Sequence, residues 1–144
     1  MSSVPSDWRT WLPYGDSFRF VDEIRSLKLP DLVVTEADFS RHVALIDAHR
    51  AAGEPVVPGA LLAEQVAQSA WLLGRLTGWL APGARVLLGR ITCTFEQVAP
   101  VDKPVVAEVH GSIIAADAAG FRATLHSADK PIGRVVLAVR KLDG

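Results

Sequence analysis

The chain has 144 residues, a net charge of −1 at neutral pH and a sequence pI near 6.4. A chain of this length forms one domain and buries about two-thirds of its unfolded surface, so a single domain over residues 1–144 is expected. The balanced charge gives no global attraction to nucleic acid or to a membrane surface, and neither is expected as a partner. A hydrophobic content of 49% is high for a small monomer and favours an oligomer.

The cysteine count and the apolar segments indicate the cellular compartment of the protein. A single cysteine excludes an intrachain disulfide framework and a metal site made of several cysteines, which is typical of a reducing compartment. Residues 1–11 lack the apolar run of a signal peptide, and polar residues interrupt the apolar stretch 60–80, which argues against a membrane span. We therefore expect a cytoplasmic protein with no membrane partner, no metal and no other cofactor.

The first third of the chain is predicted to contain an N-terminal arm and two strands. The arm covers residues 1–20. Strands are predicted over 21–28 and 32–39, because both segments are rich in β-branched and apolar residues, with a turn at 29–31. Residues 40–57 are irregular and include the loop signal Gly-Glu-Pro, so no regular element is expected there.

A long helix follows this loop. Pro58 and Gly59 are placed at its start, where the missing N–H of a proline costs least. Residues 60–73 read A-L-L-A-E-Q-V-A-Q-S-A-W-L-L, and a helix that is apolar on nearly every side is typically central. Gly78, or the Pro-Gly pair at 82–83, is expected to end it.

Four strands are predicted in the last part of the chain, where the apolar period becomes two. The first is expected to be half-buried through Ile91, Cys93 and Phe95, with Cys93 as a small core residue. The others lie around 105–110, 121–126 and 132–142. The order strand–strand–helix–four strands predicts an α+β domain in which an antiparallel sheet wraps one long helix.

Glu64 is the most unusual residue of the predicted helix. A carboxylate among apolar side chains must be paired, hydrogen-bonded or kept neutral, and a partly desolvated carboxyl is suited to act as a general acid. His49, before the Gly-Glu-Pro loop, is the complementary proton acceptor. Two plainer interpretations remain open: a structural Glu64 paired with Arg75 or Arg90, and a His49 that is only a solvated loop residue.

Four segments match motifs of one family. Residues 12–22 read L-P-Y-G-D-S-F-R-F-V-D and resemble L-P-H-R-x-P-F-L-L-V-D. Residues 48–59 read A-H-R-A-A-G-E-P-V-V-P-G and resemble G-H-F-P-G-x-P-x-x-P-G. Residues 60–68 resemble the helix motif V-L-x-x-E-x-x-A-Q, and residues 95–102, F-E-Q-V-A-P-V-D, resemble F-x-x-P-V-x-P-G-D. Over residues 12–142 the chain thus resembles the hotdog-fold 3-hydroxyacyl-[acyl-carrier-protein] dehydratases.

The chain departs from this pattern near the expected site. Tyr14 replaces the first His of the family and is interpreted as a packing residue. Ala48 and the pair Arg-Ala at 50–51 replace Gly and Phe-Pro on either side of His49, and the following loop is one residue longer. His42, seven residues earlier, is the alternative candidate for the base.

The resemblance implies a reaction and a set of site residues. The family removes water from a (3R)-3-hydroxyacyl thioester, in fatty-acid or polyketide synthesis, to give a trans-2-enoyl thioester. His49 is then the base for the C2 proton, and Glu64 is the acid-side partner of the C3 hydroxyl. The substrate-binding residues are Pro58, Gly59, whose N–H would hold the enolate-like charge, and Gln68, which would fix the rotamer of Glu64.

The resemblance also implies partners. An acyl carrier protein presents the substrate, although the sequence does not distinguish it from coenzyme A. In hotdog dimers the His and the Glu come from different subunits, so a homodimer or a pair with a sister hotdog subunit is implied. Two other functions remain open: an acyl thioesterase that uses Glu64 to activate water without His49, and a non-catalytic subunit of a heterodimeric dehydratase.

Overall fold

The computed structural model describes residues 3–49 and 55–142, and of His49 it describes only the backbone. Within these ranges the regular elements are six strands and two α-helices, with three short 3-10 helices at Trp8–Trp11, Asp16–Phe18 and Phe39–His42. In chain order they are β1 (Glu23–Lys28), β2 (Leu32–Ala37), α1 (Val43–His49), α2 (Gly59–Leu76), β3 (Val86–Phe95), β4 (Val105–Ala115), β5 (Ala118–Ser127) and β6 (Lys130–Lys141).

The six strands form one antiparallel sheet in the order β1-β2-β4-β5-β6-β3. Alternate residues of β4 and β5 are buried, as expected for a sheet with one covered face. The 18-residue helix α2 provides the cover and packs mainly on β2 and β4. The α+β arrangement predicted from the sequence, one long helix against an antiparallel sheet, is therefore confirmed.

The ends of α2 follow the local sequence. Pro58 precedes the helix, and its carbonyl oxygen accepts hydrogen bonds from the amides of Leu61 and Leu62 at 3.0 and 3.2 Å. Beyond Leu76, Gly78 has a φ of +80°, a left-handed conformation that glycine adopts without steric cost. The predicted start at Pro58-Gly59 and the predicted end near Gly78 are both correct. No helix in the described ranges has the combination of length and hydropathy that crossing a bilayer requires.

The N-terminal arm packs against α2. Trp8 and Leu12 of the arm form a second apolar cluster with Val21 and with Leu72 of the helix. The indole N–H of Trp71 donates to the backbone oxygen of Trp11 at 2.8 Å. The arm is thereby attached to the outer side of the helix that the sheet covers on the other side.

The prediction for β3 is wrong in one respect. Its pairing partner is β6 and it forms an edge of the sheet, where every residue after Val86 is exposed, including Cys93. Leu87 and Leu88 are 51% and 44% exposed. The apolar residues of β3 are thus uncovered in the single chain, a feature that marks an interaction surface.

The segment predicted to be irregular contains α1. Asp38 starts this region by accepting a hydrogen bond from the amide of Ser40 at 3.1 Å, as capping residues do. In the part of α1 whose side chains are described, Ile46 is the one buried residue, so the helix has too short an apolar stripe to predict. Residues 50–54 lie outside the described residues.

Gly133 provides a test of the β3–β6 pairing. A Cβ atom there would overlap the carbonyl oxygen of Thr94 and lie 2.9 Å from Cδ1 of Phe95. Gly133→Ala should therefore lower the free energy of unfolding by about 1–3 kcal/mol. In the control Gly120→Ala the new Cβ would lie 3.4 Å from the flexible end of Ile114, and a change within about 0.5 kcal/mol is expected. Urea unfolding measures both, and equal losses would contradict the steric explanation.

Candidate functional site

A cleft of about 200 Å³ lies between α2, the N-terminal arm and strands β3, β5 and β6. Its wall is mainly apolar and aromatic. The hydroxyl, carboxyl and amide side chains that line it are Tyr14, Glu64 and Gln68. A concave apolar site with a few convergent polar groups is the usual form of a small-molecule site.

Gln68 connects α2 to the arm. Its Oε1 accepts a hydrogen bond from the amide of Phe20, and its Nε2 donates to the carbonyl oxygen of Phe18, both at 2.8 Å. The same Nε2 lies 3.4 Å from Oε1 of Glu64. Since Gln68 is 1% exposed, these bonds replace water and hold the arm over the helix. The sequence placed Gln68 beside Glu64, but the two stronger bonds to the arm could not be inferred from it.

Glu64 lies on the cleft face of α2, about half buried. Burial raises the pKa of its carboxyl, and the hydrogen bond from Gln68 opposes that rise. No Arg or Lys in the described part of the chain forms an ion pair with Glu64. The guanidinium of Arg75 instead lies 4.7 Å from the ring centroid of Trp11. The structural ion pair between Glu64 and Arg75, one of the plainer interpretations of the sequence, is therefore not formed.

Tyr14 is part of the same cleft, which the sequence did not predict. Its ring packs edge-on against Phe18, with 5.1 Å between centroids, and Phe18 packs in the same way against Phe20 at 4.8 Å. Burial and then the charge of Glu64 raise the pKa of the Tyr14 hydroxyl. The interpretation of Tyr14 as a packing residue alone is thus incomplete. The sequence signal for a place in the site was the position of Tyr14, because the dehydratase motif that residues 12–22 resemble has a His there.

Pro58 and Gly59 form the amino end of α2 and do not line the cleft. The first amides of a helix have no partner within the helix and favour negative charge. A Cβ atom at Gly59 would lie 2.8 Å from Cε2 of Phe95. The close approach that requires a glycine here is therefore made by an aromatic ring of β3.

The two candidate bases differ in position. His49 is the last residue of α1, and its side chain lies outside the described residues, so its role stays a prediction. His42 is buried, with Nε2 3.0 Å from the carbonyl oxygen of Arg19 and its ring 4.6 Å from that of Phe20. Burial and the charge of Arg41 lower the pKa of His42. His42 does not line the cleft. Nowhere in residues 3–49 and 55–142 do three or more His, Cys, Asp or Glu residues form a group that could hold a metal ion.

Comparisons with known proteins bear on the fold. No family model matches the sequence, and no curated protein does. The structure is similar to the dehydratase heterocomplex ApeI:P from Xenorhabdus doucetiae, with a TM-score of 0.77, 11% identity, and coverage of 99% of this chain and 93% of that chain.

Two further solved structures match at lower scores. The PaaI protein of the E. coli phenylacetic acid degradation operon has a TM-score of 0.63 at 10% identity, covering 85% of this chain and 80% of its own. A hypothetical thioesterase of Streptococcus pneumoniae, solved with coenzyme A, has a TM-score of 0.63 at 8% identity, with coverages of 83% and 84%. The chain therefore has the hotdog fold, as the resemblance predicted; at these identities the similarity is one of fold.

Glu64→Gln should stabilise the protein at neutral pH. Because folding raises the pKa of this carboxyl, the folded state is favoured while Glu64 is protonated. That advantage is lost as the pH rises from the unfolded pKa through the folded one. Glutamine stays neutral, so the free energy of unfolding of the variant relative to the native protein should increase across this window. Urea unfolding at a series of pH values measures the difference; a difference that is constant, or that falls with rising pH, would contradict the desolvation of Glu64.

Gln68→Met should release the arm. The change keeps the length of the side chain but leaves the amide of Phe20 and the carbonyl of Phe18 without their partner. Each buried group left unsatisfied costs about 1–3 kcal/mol. We expect a loss of stability in urea and faster proteolysis within residues 3–20. Gln97→Met, at an exposed position, should change stability by at most about 0.5 kcal/mol. Unchanged protection of the arm in Gln68→Met would contradict this anchoring role.

Proposed function

We propose that the chain is a hotdog dehydratase subunit that converts a 3-hydroxyacyl thioester into a trans-2-enoyl thioester. The observation that carries the proposal is the carboxyl of Glu64, which is desolvated in an apolar cleft and has no ion-pair partner among the described residues. The coverage of 99% of this chain by the similarity to a dehydratase heterocomplex supports it, as does the helix motif of residues 60–68.

The proposed reaction is an elimination of water. A base takes the proton from C2, and the electron pair of that C–H bond forms the C2–C3 double bond. The C3–O bond breaks, and the leaving hydroxyl accepts a proton and departs as water. The reaction transfers one proton from carbon and one to oxygen, so that it needs no oxidant or reductant.

Glu64 is proposed as the donor of the proton to the leaving hydroxyl. A donor must be protonated when the substrate binds, and the raised pKa of this carboxyl favours that state. Gln68, held by the arm, limits the positions that the carboxyl adopts. A positioned acid or base of this kind contributes about 10²–10⁴-fold to the rate.

His49 is proposed as the base and the start of α2 as the site of the thioester oxygen. The assignment of His49 comes from the resemblance of residues 48–59 to the family motif. Helix amides at Gly59 favour the charge that develops on the oxygen when C2 loses its proton. The ring of Phe95 that contacts Gly59 would then border the thioester.

A second hotdog subunit is proposed to complete the site. Among the described strands, the edge strand β3 pairs with β6 alone, and its exposed apolar residues include Leu87 and Ile91. An antiparallel strand of another chain would pair with its other edge and cover these residues. The partner is a second copy or a sister subunit, and the latter finds support in the heteromeric assembly named for ApeI:P. We propose that an acyl carrier protein presents the thioester.

The test is turnover of a 3-hydroxyacyl thioester by the purified chain, alone and mixed with a candidate sister subunit. Conjugated absorbance of the enoyl product should appear, and Glu64→Gln and His49→Ala should each lower kcat/KM by about 10²-fold or more. His126→Ala, on the exposed face of β5, is the control and should keep full activity. Release of free thiol without enoyl product would instead indicate a thioesterase. Absence of both products in every mixture would indicate a non-catalytic subunit.

A further inference from the structure

Two aromatic side chains separate the cleft from a second cavity. This second cavity has a volume of about 220 Å³ and lies on the side of Gly111. Among the described residues, Phe121 and Trp79 line both spaces, and no other residue does. These two side chains therefore form the boundary between the cleft that contains Glu64 and the second cavity.

The ring of Phe121 is tightly held at this boundary. A Cβ atom on Gly111, which pairs with Phe121 on β4, would lie 2.9 Å from Cε1 of the ring and 3.0 Å from Cδ2 of Leu73. The ring thus fills the space between β4 and the helix α2. Phe121 is 6% exposed, and a side chain that is packed this closely has little room to move aside.

On β5 the boundary is one side chain thick. Residues 119, 121 and 123 share the covered face of this strand, because side chains alternate along it. Both neighbours of Phe121 on that face are buried alanines, Ala119 and Ala123, and Ala119 lines the second cavity. A small residue in place of Phe121 would therefore leave no large side chain of β5 between the two spaces.

The distance from Glu64 to the boundary follows from the helix. The cleft is lined by α2 as far as Trp71, and the second cavity is lined by α2 from Leu73 onward. These residues are seven and nine positions after Glu64, which is about 10–14 Å along the helix axis. An extended chain advances roughly 1.2 Å per bond. A chain whose third carbon lies at Glu64 thus reaches the boundary with about its twelfth carbon.

We propose that the ring of Phe121 sets the longest acyl chain that the cleft accepts. The proposal rests on the proposed function in one respect, namely that the ligand is an acyl thioester whose reacting carbons lie at Glu64. The substrate class is then a 3-hydroxyacyl thioester with an apolar tail of up to about twelve carbons in all. A longer chain would have to displace the packed ring or leave its last carbons in water, so these carbons add nothing to binding.

The test measures affinity against chain length in the native protein. The probes are saturated acyl pantetheines of about eight to about sixteen carbons in which an amide replaces the thioester. They have no hydroxyl to eliminate and resist hydrolysis, so that they bind without turnover. Calorimetric titration should give about fourfold tighter binding for each added carbon up to about twelve, and no gain beyond it. An unbroken rise to the longest probe, or a Kd that is independent of length, would overturn the proposal.

Two matched variants locate the limit. Phe121→Val should let the gain continue into the second cavity and tighten binding of the longest probe by about 10²-fold. Phe39→Val makes the same change at a fully buried ring that lines neither space, so it should leave the limit in place. A limit that is unchanged in folded Phe121→Val, or that Phe39→Val shifts equally, would overturn the proposal. The native series decides alone should Phe121→Val fail to fold.

A third variant refills the second cavity. Ala119→Val, added to Phe121→Val, nearly restores the summed side-chain volume on this face of β5. It should return the limit to about twelve carbons, and a limit that stays long would contradict the assignment of the extra space to the second cavity. Because the probes are not turned over, a native chain that shows the limit but fails to dehydrate would disprove the proposed function alone. Dehydration of all chain lengths at equal kcat/KM would disprove the limit alone.

Discussion

The side chain of Gln68 joins the long helix, the N-terminal arm and the candidate proton donor. It satisfies the backbone of Phe18 and Phe20 and lies against the carboxyl of Glu64. By holding Phe18 it also holds Tyr14, whose ring packs on Phe18 at the cleft. The arm therefore serves as part of the cleft wall, and the desolvation of Glu64 depends on a contact between segments that are far apart in the sequence.

Three polar side chains of the described residues have incomplete hydrogen-bond compensation. Glu64 has one long hydrogen bond and no cation, and Trp79 has a buried N–H without an acceptor among the described residues. Both reduce the stability of the protein, and the carboxyl of Glu64, which lines the cleft, is suited to a ligand that brings a hydroxyl group. Gln65 also has a buried oxygen without a partner in the described ranges; it faces β4 through its bond to Val105, and nothing in the structure explains it.

Much of the fold could be predicted because its elements have local signals. The alternation in β4 and β5, the start of α2 at Pro58 and its end at Gly78 are examples. The exposure of Ile91 and Cys93 could not be predicted, because a period of two identifies the apolar face of a strand but not what covers it. The helix α1 could not be predicted, because its apolar stripe is too short.

The candidate site was predictable in part for a similar reason. Glu64 is conspicuous as a carboxyl in an apolar helix, and the structure places it in the cleft. Tyr14 and Trp79 come to the same cleft through tertiary packing of the arm and of the segment after α2, which leaves no local pattern. His49 rests on the motif of residues 48–59, and its side chain lies outside the described residues.

The most direct test of this account is the pKa of the Glu64 carboxyl, measured by ¹³C NMR titration with the signal assigned through Glu64→Gln. The carboxyl should titrate above the ordinary range of glutamate, because the cleft disfavours its charged form. A value at or below the ordinary range would mean that the carboxylate is solvated or paired, and the assignment of Glu64 as a proton donor would be contradicted.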